Sequence, residues 1–387
     1  MEKIETVQHR RKSLPIKLLV AAMLLGLWWV TGCNRPSYEI ALITDKGSVS
    51  DRSFNQGAWE GVVEFGQREN ISHKYYRPET STDDAYFSAI ELAVRGGAKV
   101  IITPGYLFEV AVYYAQQAYP EVNFILLDGT PHTADYGSYE IQENTASILY
   151  AEEEAGYLAG YAAVKDGMEC LGFMGGMALP SVQAFGYGYL QGIEDGAKEL
   201  GLGEDAVRVI YHYTGNFEEN DTNKQTARAM YASGAEVIFS CGGVVGKSVM
   251  AAAAEEGKKV IGVDVDQRYD SSTVITSATK GIGASVVEVL DAIYAGDFGE
   301  YAGKTTYFTA VNGGVGLPVK VAEGEPGDAF DRFKRFTREE YEAVFARLAS
   351  GVVDPLRSIP VADVGGFATA GELEKHLELA CVTVEIR

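Results

Sequence analysis

The sequence predicts an α/β protein built as two doubly wound parallel-sheet lobes. Three observations point there. From Tyr38 onward, short β-branched or apolar runs alternate with amphipathic segments, the pattern of a parallel sheet covered by helices. That alternation runs through two successive series, each of about four strands. At 387 residues the chain is also too long for one ordinary core, yet no Pro/Ser-rich linker separates the series.

The first series reads as a strand at Ile40–Thr44, a helix from Ser53, a strand at His73–Tyr76 and a helix at Thr82–Val94. Strand Val100–Thr103, helix Phe108–Tyr119 and strand Phe124–Leu127 follow, the last ending in Asp128. The second series reads as helix Glu153–Val164, strand Cys170–Met174, helix Ser181–Leu200, strand Val207–Tyr211 and helix Glu219–Ser233. Strand Val237–Ser240, helix Lys247–Glu256 and strand Val260–Asp264 complete it. With no linker, the lobes are expected to join by direct crossings near Gln142–Tyr150 and Val274–Thr279, helix Ile282–Tyr294 returning to the first lobe. The expected division is 38–145 plus 274–298 for lobe one, 146–273 plus 299–350 for lobe two, and 351–387 as an extension. Asn312–Asp328, rich in Gly and Pro, reads as irregular chain and Arg338–Leu348 as an amphipathic helix. The terminal Cys381–Ile386 alternates like a strand with no assignable partner.

The N-terminus has the marks of an export signal over residues 1–32. His9-Arg10-Arg11-Lys12 and Lys17 precede an apolar run, Leu18–Val30, of signal length and short for a membrane span. The run ends in Val30-Thr31-Gly32-Cys33, which resembles a bacterial lipobox, so Cys33 is the expected lipidated first residue, followed by a linker at 33–37. A plain membrane anchor is the alternative. The net charge of −21 excludes nucleic-acid partners, because such a surface neutralises no phosphate backbone. Cys170, Cys241 and Cys381 show no metal spacing and read as buried free thiols, one disulfide among them remaining open.

Enzyme signatures are missing. There is no H-E-x-x-H and no G-x-S-x-G, and the five histidines lack carboxylate or cysteine neighbours at ligand spacing, so neither catalytic nor metal-binding residues are assigned and no cofactor is called for. His132, beside a strand end, reads as a solvated loop residue. "CGGVVGKS" (241–248) nearly makes a P-loop, but Cys241 stands where the first glycine must turn the backbone around a phosphate, so its glycines read as a close backbone approach to a ligand.

In open α/β sheets ligands sit outside the carboxyl ends of the strands. Those ends hold Asp45, Phe54, Asn55 and Asp128 in the first series, and Phe185, Gly243, Asp264 and Lys280 in the second. Taken singly, each has an ordinary explanation: Asp51 or Asp45 as a helix cap, either Phe as a core ring, Lys280 as half of a surface pair. Together they describe a gap lined by acids, which is costly without donors and satisfied by a ligand rich in N–H and O–H groups.

At this point the residues resemble a known family. "ALITDKGSVSDRSFNQGAWEG", "FILLDG", "GFMGGMALPSVQAFGYGYLQGIEDG", "IFSCGGVVGKSVMAAAAEEGKKVIGVDVDQ" and "VITSAT" are similar, in order, to the basic membrane protein family of substrate-binding lipoproteins, which includes the PnrA purine nucleoside receptors. The resemblance implies a type I periplasmic-binding-protein fold, no enzymatic activity, and a nucleoside cleft between hinged lobes. It also implies a monomer anchored through Cys33 on the extracytoplasmic face of the cell membrane, delivering its ligand to the permease and ATPase of an ABC transporter. Phe54 and Phe185 would stack on the two faces of a purine, Asp45 would accept from the base edge, and Asp128, Asp264, the Gly243 backbone and Lys280 would surround base and ribose, with Asn55 among the ligand-binding residues. Replacing either Phe by Ala is expected to remove the ligand's effect and spare the unliganded fold. The sequence departs from the family at Lys46, where a small or amide residue is usual, and after Lys280, where Gly281-Ile282-Gly283 follows. A sugar receptor of the same fold, a nucleoside hydrolase and a surface signalling lipoprotein are the competing readings.

Overall fold

Two parallel sheets carry the chain. The structure is a computed structural model that describes residues 37–45, 47–322, 324–361 and 368–387. The signal segment, Cys33 and Lys46 therefore lie outside the described residues. The first sheet contains β1 (Ile40–Ile43), β2 (His73–Tyr76), β3 (Val100–Pro104), β4 (Asn123–Leu127), β5 (Thr145–Tyr150) and β11 (Lys304–Phe308), in the order β11-β5-β4-β3-β1-β2. The second contains β6 (Cys170–Gly175), β7 (Val207–Tyr213), β8 (Val237–Cys241), β9 (Lys259–Asp264), β10 (Val274–Lys280), β12 (Val315–Gly316) and β13 (Val382–Ile386), in the order β12-β10-β9-β8-β6-β7-β13. All pairs are parallel except β10 with β12. The inner strands are apolar without alternation, as Ile40-Ala41-Leu42-Ile43 shows, because helices cover both of their faces.

The helices are α1 (Phe54–Arg68), α2 (Asp83–Arg95), α3 (Glu109–Ala118), α4 (Glu152–Lys165), α5 (Pro180–Glu199), α6 (Asp221–Ala232), α7 (Val245–Glu256), α8 (Ile282–Ala295), α9 (Arg338–Ala349) and α10 (Ala370–His376). Local chemistry fixes several of their starts. Thr82 caps α2 through Ala85 N–H, and Thr337 with Glu340 forms a capping box on α9.

The sheets divide the chain differently from the expected boundaries. Thr145–Tyr150 is a full strand of the first sheet, Val274–Lys280 belongs to the second, and Lys304–Phe308 returns to the first beside β5. The crossings thus fall just after the strands: β5 leads through Ala151 into α4, and β10 through Gly281 into α8. A third crossing at 309–314 carries the chain back to β12. β11 escaped notice because its Lys-Thr-Thr-Tyr-Phe run is an edge strand with little buried apolar surface.

The first two crossings each deliver a helix that packs on another through glycine. In α4 and α5 the backbones nearly touch: a Cβ on Gly156 would lie 2.1 Å from Phe185 O and one on Gly188 would lie 1.9 Å from Glu153 O. This contact seats Phe185 against the first turn of α4. The terminal strand finds its partner in β7, Val382 opposite Val207. The buried Glu194 carboxylate supports it, accepting from the N–H groups of Ala380, Cys381 and Val382 at 3.0, 2.9 and 3.2 Å. Cys170, Cys241 and Cys381 are free thiols.

Candidate ligand-binding cleft

The turn after β1 is organised by carboxylates. Asp51 accepts from the N–H groups of Ser53, Asn55 and Gln56 at 2.9, 3.2 and 3.1 Å, so it caps α1 as its position suggests. Asn55 is locked between two acids, its Nδ2 donating to Asp45 Oδ1 at 2.8 Å and to Asp51 Oδ2 at 2.9 Å. Asp45 Oδ1 also accepts from Gly47 N–H at 2.7 Å. Ser53 occupies the N-cap position, yet its hydroxyl does not cap; it donates across the lobes to Asp264 Oδ2 at 2.5 Å.

Asp128 and Asp264 stand at matching strand ends, after β4 and at the end of β9. Both take left-handed backbone, φ 54° and 67°, which short polar side chains tolerate better than bulky ones. Lys280, ending β10, reaches into the first lobe: its Nζ lies 2.5 Å from Asp128 Oδ2 and 2.9 Å from Glu152 Oε1. The same ammonium sits 4.9 Å from the Phe54 ring centre, 5.3 Å from Phe185 and 5.3 Å from Tyr150, so aromatic faces from both lobes converge on it. Gly243, φ 55°, holds the turn between β8 and α7 in a conformation that suits glycine.

Charge is the main feature of this region. Burial lowers the pKa of Lys280, but the carboxylates of Asp128, Glu152 and Asp264 outweigh it and hold the ammonium well above its ordinary value. Burial pushes the Asp128 carboxyl up to about 7, with Lys280 opposing and Glu152 and Asp264 adding to the rise. Burial likewise raises Asp264, against Lys280 and the Ser53 hydroxyl. Glu152 is completely buried and is paired on its other oxygen with Arg357, at 2.6 Å. Asp128 Oδ1 is buried and has no hydrogen-bond partner within the protein. An acceptor left in that state is costly, and donors from a ligand would satisfy it.

One cavity of about 800 Å³ takes in all eight residues that the sequence singles out: Asp45, Phe54, Asn55, Asp128, Phe185, Gly243, Asp264 and Lys280. That volume is in the range of small-molecule sites. Tyr106, Phe217, Glu218 and Glu219 also line it. Two expectations need correction. Phe185 is only 2% exposed and meets Phe239 edge-on at 5.9 Å, so its removal would cost the unliganded core as well. His132 is buried rather than solvated, bonded to Glu109 at 3.1 Å and stacked on Tyr136.

The sequence reading missed the hydroxyl of Ser53 as the partner of Asp264, and it missed Glu152, Tyr150 and Arg357. Glu152 lies in "AEEEAG", which looks like a solvated helix start, and Arg357 falls in chain with no pattern to flag it.

Two α/β lobes, with acids and rings from both lining one cavity, have the architecture of a solute-binding protein. The chain belongs to the family described as "ABC transporter substrate-binding protein PnrA-like", whose model matches residues 39–344. It is 31% identical to the "ABC transporter nucleoside-binding protein BmpA" of Lactococcus lactis subsp. cremoris, over 79% of this chain and 88% of that one. It is 30% identical to "Basic membrane protein B" of Borreliella burgdorferi, over 72% and 80%. A solute-binding protein of an ABC transporter system from Aeropyrum pernix K1 superposes with a TM-score of 0.74 at 23% identity, over 89% of this chain and 99% of that one, which shows the shared type I binding-protein fold. Among the described residues no helix is long and apolar enough to cross a membrane.

Proposed function

We propose that this protein captures a neutral nucleoside, most readily a purine nucleoside, in the cleft between its lobes and passes it to an ABC permease with its ATPase. It would do so as a monomer on the outer face of the cell membrane, held there by a lipid on Cys33. The observation that carries the reading is the cavity itself, lined by Asp128, whose Oδ1 has no partner in the protein, and by Phe54 from one lobe and Phe185 from the other. A nucleoside supplies what these groups need. Its ribose hydroxyls and base N–H groups are donors for Asp128, Asp45 and Asp264, and its flat ring stacks on phenyl faces for about 1–3 kcal/mol per base. The nucleoside-binding relative from Lactococcus supports the same choice. Phosphorylated nucleotides fit poorly, because a dianion would enter a cavity whose wall carries Asp45, Asp51, Asp128, Asp264, Glu218 and Glu219 against Lys280.

A thermal-shift panel of nucleosides, free bases, nucleotides, ribose and hexoses on the full-length protein tests this. A purine nucleoside present at a hundred times its Kd should stabilise the fold by about 2.7 kcal/mol. Phe54→Ala should remove most of that shift. A pentose or hexose matching inosine at equal concentration would favour a sugar receptor instead, and slow conversion of the bound nucleoside would point to a hydrolase.

A further inference from the structure

The 351–387 extension lies beyond the family match, yet it sends one side chain under the cleft. Arg357 donates through Nη1 to Tyr150 O at 2.7 Å and to Glu153 Oε2 at 2.7 Å, and its Nη2 lies 2.6 Å from Glu152 Oε2. The other Glu152 oxygen faces Lys280 Nζ, which in turn holds Asp128. The result is a line of alternating charge, Arg357, Glu152, Lys280, Asp128, leading from the partly exposed extension to a carboxylate that lines the cavity and has one oxygen unpartnered.

We propose that Arg357 is a positioning residue for ligand binding: by meeting the charge of Glu152 from outside, it leaves the Lys280 ammonium to Asp128 and fixes how Asp128 presents its open oxygen. This rests on the nucleoside reading above. The groups facing Glu152 are Lys280 on β10, Arg357 in the extension, Asp128 after β4, Asp264 ending β9, Glu153 beside it on α4, Tyr150 ending β5 and Cys241 ending β8. Two of these are cations and three are other carboxyl groups. Without Arg357 a single ammonium would serve four acids, two of them, Glu152 and Asp264, buried. Glu152 would then compete with Asp128 for Lys280, since an unpaired buried carboxylate is worse than a shared one. A purely structural role separates from this one by experiment: the Gln191 side-chain amide already ties down the segment, Nε2 donating to Leu356 O and Oε1 accepting from Leu356 N–H, and Arg357 would then only pin the extension further.

The test titrates inosine by calorimetry into the full-length protein in detergent, at about pH 5.5 and about pH 8, and records unliganded thermal midpoints at both. Arg357→Ala should weaken inosine about tenfold at the higher pH and much less at the lower, where protons on the buried acids replace the lost cation. The midpoints should fall with the same pH pattern. Arg357→Lys should recover part of the loss, because an ammonium restores charge without the fork that spans three acceptors. Arg357→Ala combined with Glu152→Gln should recover most of it. Equal losses at both pH values, or no recovery on neutralising Glu152, would reduce Arg357 to a pin and overturn the inference. If the wild-type chain took up no nucleoside, the reading in the preceding section would fail. The pH pattern of the unliganded midpoints and its rescue would still decide the charge balance, and their absence would overturn it.

Discussion

The two lobes repeat one topology, yet they use it for different ends. Setting aside the added edge strands, both sheets run in the order second, first, third, fourth, fifth, and in both the fourth strand delivers an aspartate in left-handed backbone. Asp264 of the second lobe is satisfied by the Ser53 hydroxyl of the first, so its carboxylate joins the lobes. Asp128 of the first lobe takes Lys280 from the second but keeps its other oxygen buried and without a hydrogen-bond partner in the protein. The repeat supplies two equivalent acids, and the neighbours decide that one bridges the lobes and the other keeps an unpaired oxygen. Gln267 Nε2 bonding to Arg52 O at 2.7 Å and the Arg52–Asp270 ion pair add to the closing set.

The same comparison extends to the helix pairs that follow the crossings. In the second lobe a Cβ on Gly188 would stand 1.9 Å from Glu153 O, whereas in the first a Cβ on Gly61 would stand 2.6 Å from Gly283 O. Gly188→Ala should therefore be the more damaging change, forcing α4 from α5 at a cost of about 3 kcal/mol, with Gly61→Ala below it; chemical denaturation of both variants measures the difference. A reversal of that order would mean that the first lobe's pair is the tighter one.

A smaller effect separates the two acids. Ser53→Ala should weaken inosine by about tenfold and Asp264→Ala by at least as much, and the double variant should be no weaker than Asp264→Ala alone, because Ser53 acts through the Asp264 carboxylate. Additive losses in calorimetry would show that the two residues act apart and that the cross-lobe bond does not hold the closed form.

The smallest effect is that of pH. Burial raises the Asp128 pKa to about 7, so the folded protein keeps a proton that the unfolded chain has already released. The Asp128 contribution to unliganded stability should then be full below the ordinary carboxyl range and be lost as pH climbs to about 7. Nucleoside affinity should move the other way over the same window, rising about three- to tenfold, since N–H and O–H donors need the carboxylate. Affinity that fell with rising pH would place the open acceptor elsewhere.

Much of this was legible in the sequence because buried parallel strands leave long apolar runs, and strand ends in such sheets are where side chains meet a ligand. Ile40–Ile43 and Phe124–Leu127 declare themselves, and with them Asp45 and Asp128. Lys304–Phe308 does not, being polar on an edge, and the Thr145–Tyr150 strand was read as a crossing because the chain turns to the other lobe directly after it. The cleft rings were found from their place after strands, but the depth of Phe185 depends on the glycine contact of α4 with α5, which no local pattern reports. Glu152 and Arg357 were invisible for a related reason. Their importance comes from a pairing 205 residues apart in sequence, and each alone resembles an ordinary surface charge.

The most direct test compares inosine binding by wild type, Asp128→Asn and Asp264→Asn in calorimetric titrations at neutral pH. Asp128→Asn puts a donor where the ligand's donors would point, so affinity should fall by at least about 100-fold, well beyond the loss at Asp264. Affinity within about threefold of wild type in Asp128→Asn would contradict the assignment of the open acceptor to the ligand.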